Sequence, residues 1–296
     1  MRVVASLTTT PDHYYTLIKT LRCLNNQTYS LDAIYLSLPR ICKRLNTKYP
    51  PLPKNITKLC TVVPCEDFGP ITKLMGGLLM ENDPETIIIT FDDDMIYYPT
   101  TVELLLKHHN EYPSSAICSS GMLIKYNCPV CAIRPNINGF IYNVSNFHIP
   151  PEGRKVDVMY GLASVLYLRK FFPNNEHLER GFLSYALTDE NTFLNDDIII
   201  SGYLSLKNIS RRIFSDIPKV DFVTFNNVRE RKSYELSYNT DRFFNTMNLA
   251  IDKCKKLGMF QHIENMNISE TVVGTACFIF IPLIILISIV VYALSK

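Results

Sequence analysis

Apolar residues along this chain come in short runs separated by turn formers, and the spacing within the runs alternates between strand-like and helix-like. Residues 2–7 (RVVASL) are a brief apolar stretch closed by Thr8, Thr9, Thr10 and Pro11, which predicts a first buried strand. Tyr14, Leu17, Ile18, Leu21 and Leu24 then recur at the spacing of one helix face. Residues 33–38 (AIYLSL) return to a strand, so the chain opens as a β-α-β unit. A proline-rich loop at 49–53 leads to a third strand around 58–63. The segment CEDFGPITKLMGGLLM then predicts a glycine-proline turn opening a helix that runs to Met80 and is stopped by residues 82–84. Beyond it, 86–91 reads as a continuous apolar strand, 100–112 as a helix and 115–124 as a strand. Residues 125–155 are loop-like, 156–168 strand-like with a break near Gly161, and 211–214 and 220–225 short closing strands. A last helix is expected over 241–257. Strands alternating with helical stretches predict an α/β fold, Rossmann-like, with a mostly parallel sheet and flanking helices. Such a fold binds its ligands beyond the carboxyl ends of the strands.

Length and composition narrow the picture without deciding it. At 296 residues the chain allows one α/β domain and an appendage. A formal net charge of +2, with no long basic block, gives no reason to expect a nucleic-acid partner. Of nine cysteines only Cys128 and Cys131 (CPVC) have metal-like spacing. Zinc would need further ligands, for which Cys118 or His148 are at hand; otherwise the cysteines are reduced core thiols.

The tail is different in kind. Residues 271–295 (TVVGTACFIFIPLIILISIVVYALS) contain no charged residue, and a helix of that length matches the ~30 Å hydrocarbon core of a bilayer. A transmembrane helix over 271–294 is therefore expected. It would act as a tail anchor behind a cytosolic domain at 1–265, because the apolar run at residues 3–7 is too short for a signal-peptide core. Five Asn-x-Ser/Thr sequons, at Asn26, Asn55, Asn143, Asn208 and Asn267, leave that orientation open.

Candidate chemistry begins at IITFDDDMIYY. Carboxylates this close repel one another unless a cation or solvent takes up the charge, so the stretch is either a solvated turn or a metal site. Asp92 and Asp94 would share a side at a strand end, and two hard oxygen ligands suit Mg²⁺ or Mn²⁺. A second acidic pair, Asp196 and Asp197, opens the apolar run LNDDIIISGYLS. It could take a proton from an acceptor hydroxyl, or it could cap a helix.

The succession VVASLTTTP, NNQTYSLDAIYLSLP, EDFGPITKLMGGL, TIIITFDDDMIYYP, VDVMYGLASVLYLRKFF and LNDDIIISGYL resembles a GT-A fold, family-2-like glycosyltransferase over residues 2–225. The resemblance implies a nucleotide-diphospho-sugar half over about 1–100, an acceptor half over about 101–225 and a helical part over about 226–265. It further implies transfer of a sugar to an acceptor hydroxyl, with Mn²⁺ or Mg²⁺ on Asp92 and Asp94. By the same likeness Thr8, Thr9, Pro11, Asp67, Gly69, Lys73 and Asp93 contact the nucleotide sugar. Asp197, with Asp196 as runner-up, is the general base, and Asp157, Tyr160 and Gly161 shape the acceptor site. Inversion is the implied outcome, although Asp-Asp stands where the family usually has Glu-Asp. Gly69-Pro70 also reads as a plain helix-starting turn, and Lys73 as a solvated surface lysine. The acceptor would be a glycan, a lipid-linked sugar or a protein near a membrane. The rival reading is a catalytically inactive, tail-anchored GT-A-like scaffold.

Overall fold

In the computed structural model of the chain, residues 1–125, 140–143, 149–223 and 240–263 are described. The chain divides into one unit of residues 1–123 and 143–261 and a second of 124–142 and 262–296. The described part of the second unit includes strand at residues 140–142.

The first unit is built on an eight-stranded sheet. Its strands are β1 (Val3–Thr8), β2 (Ala33–Pro39), β3 (Thr61–Cys65), β4 (Ile87–Thr90), β5 (Ser115–Cys118), β6 (Arg154–Lys155), β7 (Val165–Leu168) and β8 (Ser210–Ile213). Across the sheet the order is β6, β8, β5, β7, β4, β1, β2, β3. Strands β4, β1, β2 and β3 run parallel, as do β5 and β8. Between these blocks β7 is antiparallel to both β4 and β5. The sheet is thus mainly parallel, and its central strands β1, β4 and β7 are almost wholly buried. That burial explains why they read as continuous apolar runs and do not alternate.

The longer helices are α1 (Tyr14–Asn25), α2 (Met75–Met80), α3 (Thr101–Glu111), α4 (Asp196–Leu206) and α5 (Thr240–Lys256). Helix α2 lies unusually close to the sheet. A Cβ on Gly76 would stand 2.7 Å from Tyr35 Cβ, and one on Gly77 2.6 Å from Ile88 Cγ2. The Gly76-Gly77 pair is therefore a packing requirement. Two buried serines of β1 and β2 complete the joint: Gly77 N donates to Ser6 Oγ at 3.0 Å and Gly76 N to Ser37 Oγ at 2.7 Å. The hydroxyls of Ser6 and Ser37, buried inside apolar strands, are satisfied this way.

The observed elements depart from the sequence reading in several places, among them the strands Phe140–Asn143 and β6 within the stretch 125–155 that reads as loop-like. The strand expected around 58–63 is Thr61–Cys65, because Lys54–Thr57 form a helical turn first, with Ile56 N bonded to Pro53 O. The strand expected over 115–124 is two, β5 and Gly121–Lys125, with Ser120 N held by Cys118 Sγ at the break. The 156–168 stretch is likewise split. Val158–Met159 pairs with Gly121 and Met122, a 3-10 turn follows at Gly161–Ala163, and Ser164 at φ 64° redirects the chain into β7.

The expected transmembrane helix at 271–294 lies outside the described residues, as do Cys128, Cys131 and His148. Among the described residues no helix is long and apolar enough to cross a membrane. Cys23, Cys42, Cys60, Cys65, Cys118 and Cys254 are free thiols.

Candidate active site

Strand β4 ends at Thr90, and Asp92, Asp93 and Asp94 fall in the turn beyond it. Leaving the strand releases the three side chains from strict alternation, and Asp92 and Asp93 make separate sets of contacts. Asp92 accepts from Lys73 Nζ, while its backbone N donates to Tyr97 Oη at 2.8 Å. The Tyr97 hydroxyl in turn donates to Leu162 O at 3.1 Å. Asp93 accepts from Thr9 Oγ1 and lies 3.4 Å from His13 Nδ1. Asp94 acts electrostatically on both His13 and Tyr97, and its backbone O accepts from Val223 N at 2.8 Å.

Lys73 joins the first acidic group to the second. It stands on the 3-10 turn Ile71–Leu74 and is 6% exposed. Its Nζ lies 3.0 Å from Asp196 Oδ2 as well as against Asp92. That Asp196 oxygen is buried and has no hydrogen bond, so the contact is an ion pair with poor N–H alignment. Asp196 and Asp197 occupy the first turn of α4, behind Asn195 at the N-cap position. Asn195 does not cap the helix with its side chain; its amide donates to Asn191 O at 2.8 Å. Asp197 turns toward the 3-10 turn instead, where Gly161 N donates to its Oδ1 at 2.8 Å.

The electrostatics follow from one ammonium facing three carboxylates. Burial, with the neighbouring Asp196 and Asp92, raises the Asp197 carboxyl well above the usual range against the pull of Lys73. Burial also raises Asp92, again outweighing Lys73. Burial works against the Lys73 charge, yet Asp196, Asp92 and Asp197 hold its pKa well above the ordinary lysine value. For His13, burial opposes protonation but Asp93, Asp12 and Asp94 prevail, and its pKa rises to about 9.

The loop after β1 meets this centre through Thr9 and His13, both against Asp93. Thr8 Oγ1 donates to Ser37 O at 2.9 Å, and Thr9 O accepts from Tyr49 Oη at 2.8 Å. Pro11 sits in the turn before α1. Asp67 is buried, accepting from Lys43 N and Gly69 N, both at 2.7 Å. Gly69 has φ +76°, and a Cβ there would stand 2.5 Å from Phe193 O, so glycine is required for the turn and for the close approach. Burial, and after it the charges of Cys42, Asp67 and Asp93, push the Tyr49 hydroxyl pKa up. On the other flank Tyr160 N bonds Ser120 O at 3.0 Å, and Asp157 is buried near enough to Arg211 to act on its charge.

The structure thus gathers Lys73, Asp92, Asp196, Asp197 and Gly161 in one cluster and Thr9 with Asp93 in an adjoining one. His13, Tyr49 and Tyr97 belong to these clusters and escaped the sequence reading. His13 follows TTTPD and Tyr97 follows DDDMI, whereas Tyr49 lies in the proline-rich loop away from both, and only tertiary contacts assign the three. By its chemistry the donor set would accept a hard divalent cation: carboxylates outnumber the ammonium, and buried Asp196 Oδ2 has the Lys73 ion pair but no hydrogen bond. Among the described residues, however, no three His, Cys, Asp or Glu side chains stand together as a preformed metal cage.

No family model matches this chain, and no curated protein does. Two solved structures align with 86% of it: S. aureus TarS 1-349, at 12% identity and a TM-score of 0.41, and S. aureus TarS 1-349 in complex with UDP, at 10% identity and a TM-score of 0.46. The chain covers 65% of each of those structures, and a likeness this slight bears on neither activity nor substrate.

Proposed function

We propose that the chain is a GT-A type glycosyltransferase that moves a sugar from a nucleotide-diphospho-sugar to an acceptor hydroxyl. The observation that carries this reading is the buried meeting of Asp92, Lys73, Asp196, Asp197 and the Gly161 N–H next to the turn after β4. A strongly shifted acid beside a second carboxylate group is the pattern expected of a working site. Thr8, Thr9, Pro11, Asp67, Gly69 and Asp93 would line the donor side, and Asp157, Tyr160 and Gly161 the acceptor side. Asp92 and Asp94 would hold Mn²⁺ or Mg²⁺, and the ion when bound would supply positive charge against the departing diphosphate.

In this mechanism Asp197 is the base. The Gly161 N–H fixes its Oδ1, and the acceptor hydroxyl would give its proton to the carboxylate. The freed acceptor oxygen bonds to the anomeric carbon as the carbon–oxygen bond to the diphosphate breaks, and the nucleoside diphosphate leaves with that electron pair. One such displacement inverts the sugar. Burial and the neighbouring Asp196 raise the Asp197 pKa, so its ionised carboxylate holds a proton more strongly than an ordinary aspartate does. A membrane anchor at 271–294 would set the site at a cytosolic membrane surface, within reach of a glycan, lipid-linked or protein acceptor.

The test is to incubate the full-length chain with Mn²⁺ and a panel of nucleotide sugars, following release of nucleoside diphosphate. One donor should be turned over, and Asp94→Ala should suppress it. If no donor is bound or cleaved and Asp94→Ala behaves as the parent, the reading is wrong.

A further inference from the structure

Lys73 is held too firmly to serve as a freely moving phosphate ligand. Its backbone O accepts from Ser6 Oγ at 2.6 Å, and the N–H groups of Gly76 and Gly77 are bound by Ser37 and Ser6. Strands β1 and β2 therefore dictate where the lysine backbone stands. At the other end of the side chain, Nζ meets Asp92 and lies 3.0 Å from Asp196 Oδ2. A Cβ on Gly161 would fall 2.9 Å from Nζ and 2.6 Å from Asp197 Oδ1, so that backbone closes a further side. The side chain is only 7% exposed.

We propose that Lys73 is a positioning residue, a resident counter-ion that ties Asp92 to the Asp196–Asp197 pair. By occupying Asp92 it also lowers the affinity of the free chain for a divalent cation. An ammonium and a metal ion compete for the same carboxylate, and low-dielectric surroundings sharpen that competition. Removing one partner of a buried ion pair leaves the rest uncompensated. A cation of higher charge would then bind more tightly in its place. The assignment of Asp92 and Asp197 to donor and acceptor sides rests on the proposed transferase reading, but the counter-ion role does not depend on turnover.

The experiment is Mn²⁺ titration of the full-length chain without nucleotide, followed by electron paramagnetic resonance. Lys73→Met should bind Mn²⁺ at least about tenfold more tightly, whereas Lys73→Arg, which keeps the charge, should stay within about twofold of the parent. The melting temperature of Lys73→Met should fall by about 10 °C. Adding Asp196→Asn to it should recover at least half of that loss, because one uncompensated charge is gone. Unchanged or weaker Mn²⁺ binding by a folded Lys73→Met overturns the proposal. Where Lys73→Met does not fold, a double variant no more stable than the single one overturns it equally. Neither readout uses a sugar donor, so a chain without transferase activity still decides the role of Lys73. Unaltered metal affinity with weakened nucleoside-diphosphate binding would assign the lysine to phosphate instead.

Discussion

Among the ion-paired groups of the described residues, two bring several carboxylates and a basic side chain together with opposite results. At the candidate site Lys73 is buried among Asp92, Asp196 and Asp197, and the Asp92 and Asp197 carboxyls are pushed up by burial and by one another. On α3 and the loop after β8, Asp216 lies 2.9 Å from Lys107 Nζ and 2.6 Å from His108 Nε2, with Glu111 3.3 Å from His108 Nδ1. Burial also opposes the Asp216 charge, but Lys107 and His108 outweigh it and the pKa is lowered. Asp216 is 44% exposed, so water does part of the work there. The His108 ring is buried and stacks on Phe214 at 3.7 Å, which makes this second group a packing joint with its charges settled. A buried group left short of positive charge stores electrostatic free energy that a ligand, metal or proton transfer can release. The contrast separates a site from a structural ion pair, although both read as acids near bases.

The largest effect that could break the contrast is expected at Asp197. Asp197→Asn should lower kcat by about 10³-fold while leaving donor binding close to the parent, since a general base contributes about 10²–10⁴. Full activity in that variant would reduce the site cluster to the same structural status as Asp216. Next comes Gly161→Ala. The added methyl would sit 2.6 Å from Asp197 Oδ1, so the carboxylate must move, and turnover should drop by about 10²-fold in steady-state kinetics. Wild-type kinetics in Gly161→Ala would mean that the Gly161 contact does not position the base.

A pH experiment sharpens the site side further. The folded-state pKa of His13 is raised to about 9, so its contribution to stability is fully present below about 6.5 and is lost as pH rises through about 9. Chemical denaturation from pH 6 to pH 10 should therefore show the parent losing more stability than His13→Gln over that window. Parallel curves would remove His13 from the cluster. Asp216 has the opposite sign: its lowered pKa contributes stability above the ordinary carboxylate value, and that contribution is lost as pH falls. Asp216→Asn should cost less than about 1 kcal/mol at neutral pH, with the difference shrinking on acidification. It should leave donor turnover unchanged. A large loss of activity would show that the two groups are coupled.

Much of this was legible in the sequence for a physical reason. The runs VVASL and TIIIT announce buried strands because strands covered on both faces are apolar throughout, and the period of α1 follows from its one buried face. The acid-rich ends of β4 and α4 could be flagged because like charges rarely crowd beside apolar runs without a use. What the residues alone could not order was the antiparallel strand β7, inserted between β4 and β5 through the turn at Gly161 and Ser164. Pairing across a sheet is settled by long-range contacts that leave no local period. For the same reason Lys73 read equally well as a solvated lysine or a phosphate ligand. Only the docking of Gly76 and Gly77 on β1, β2 and β4 buried its ammonium and brought Asp92 within reach of the pair at Asp196 and Asp197, which lies more than a hundred residues further along the chain. Sequence determined which groups carry charge, and tertiary packing decided which of them must share it, because burial removes the water that would otherwise keep them independent.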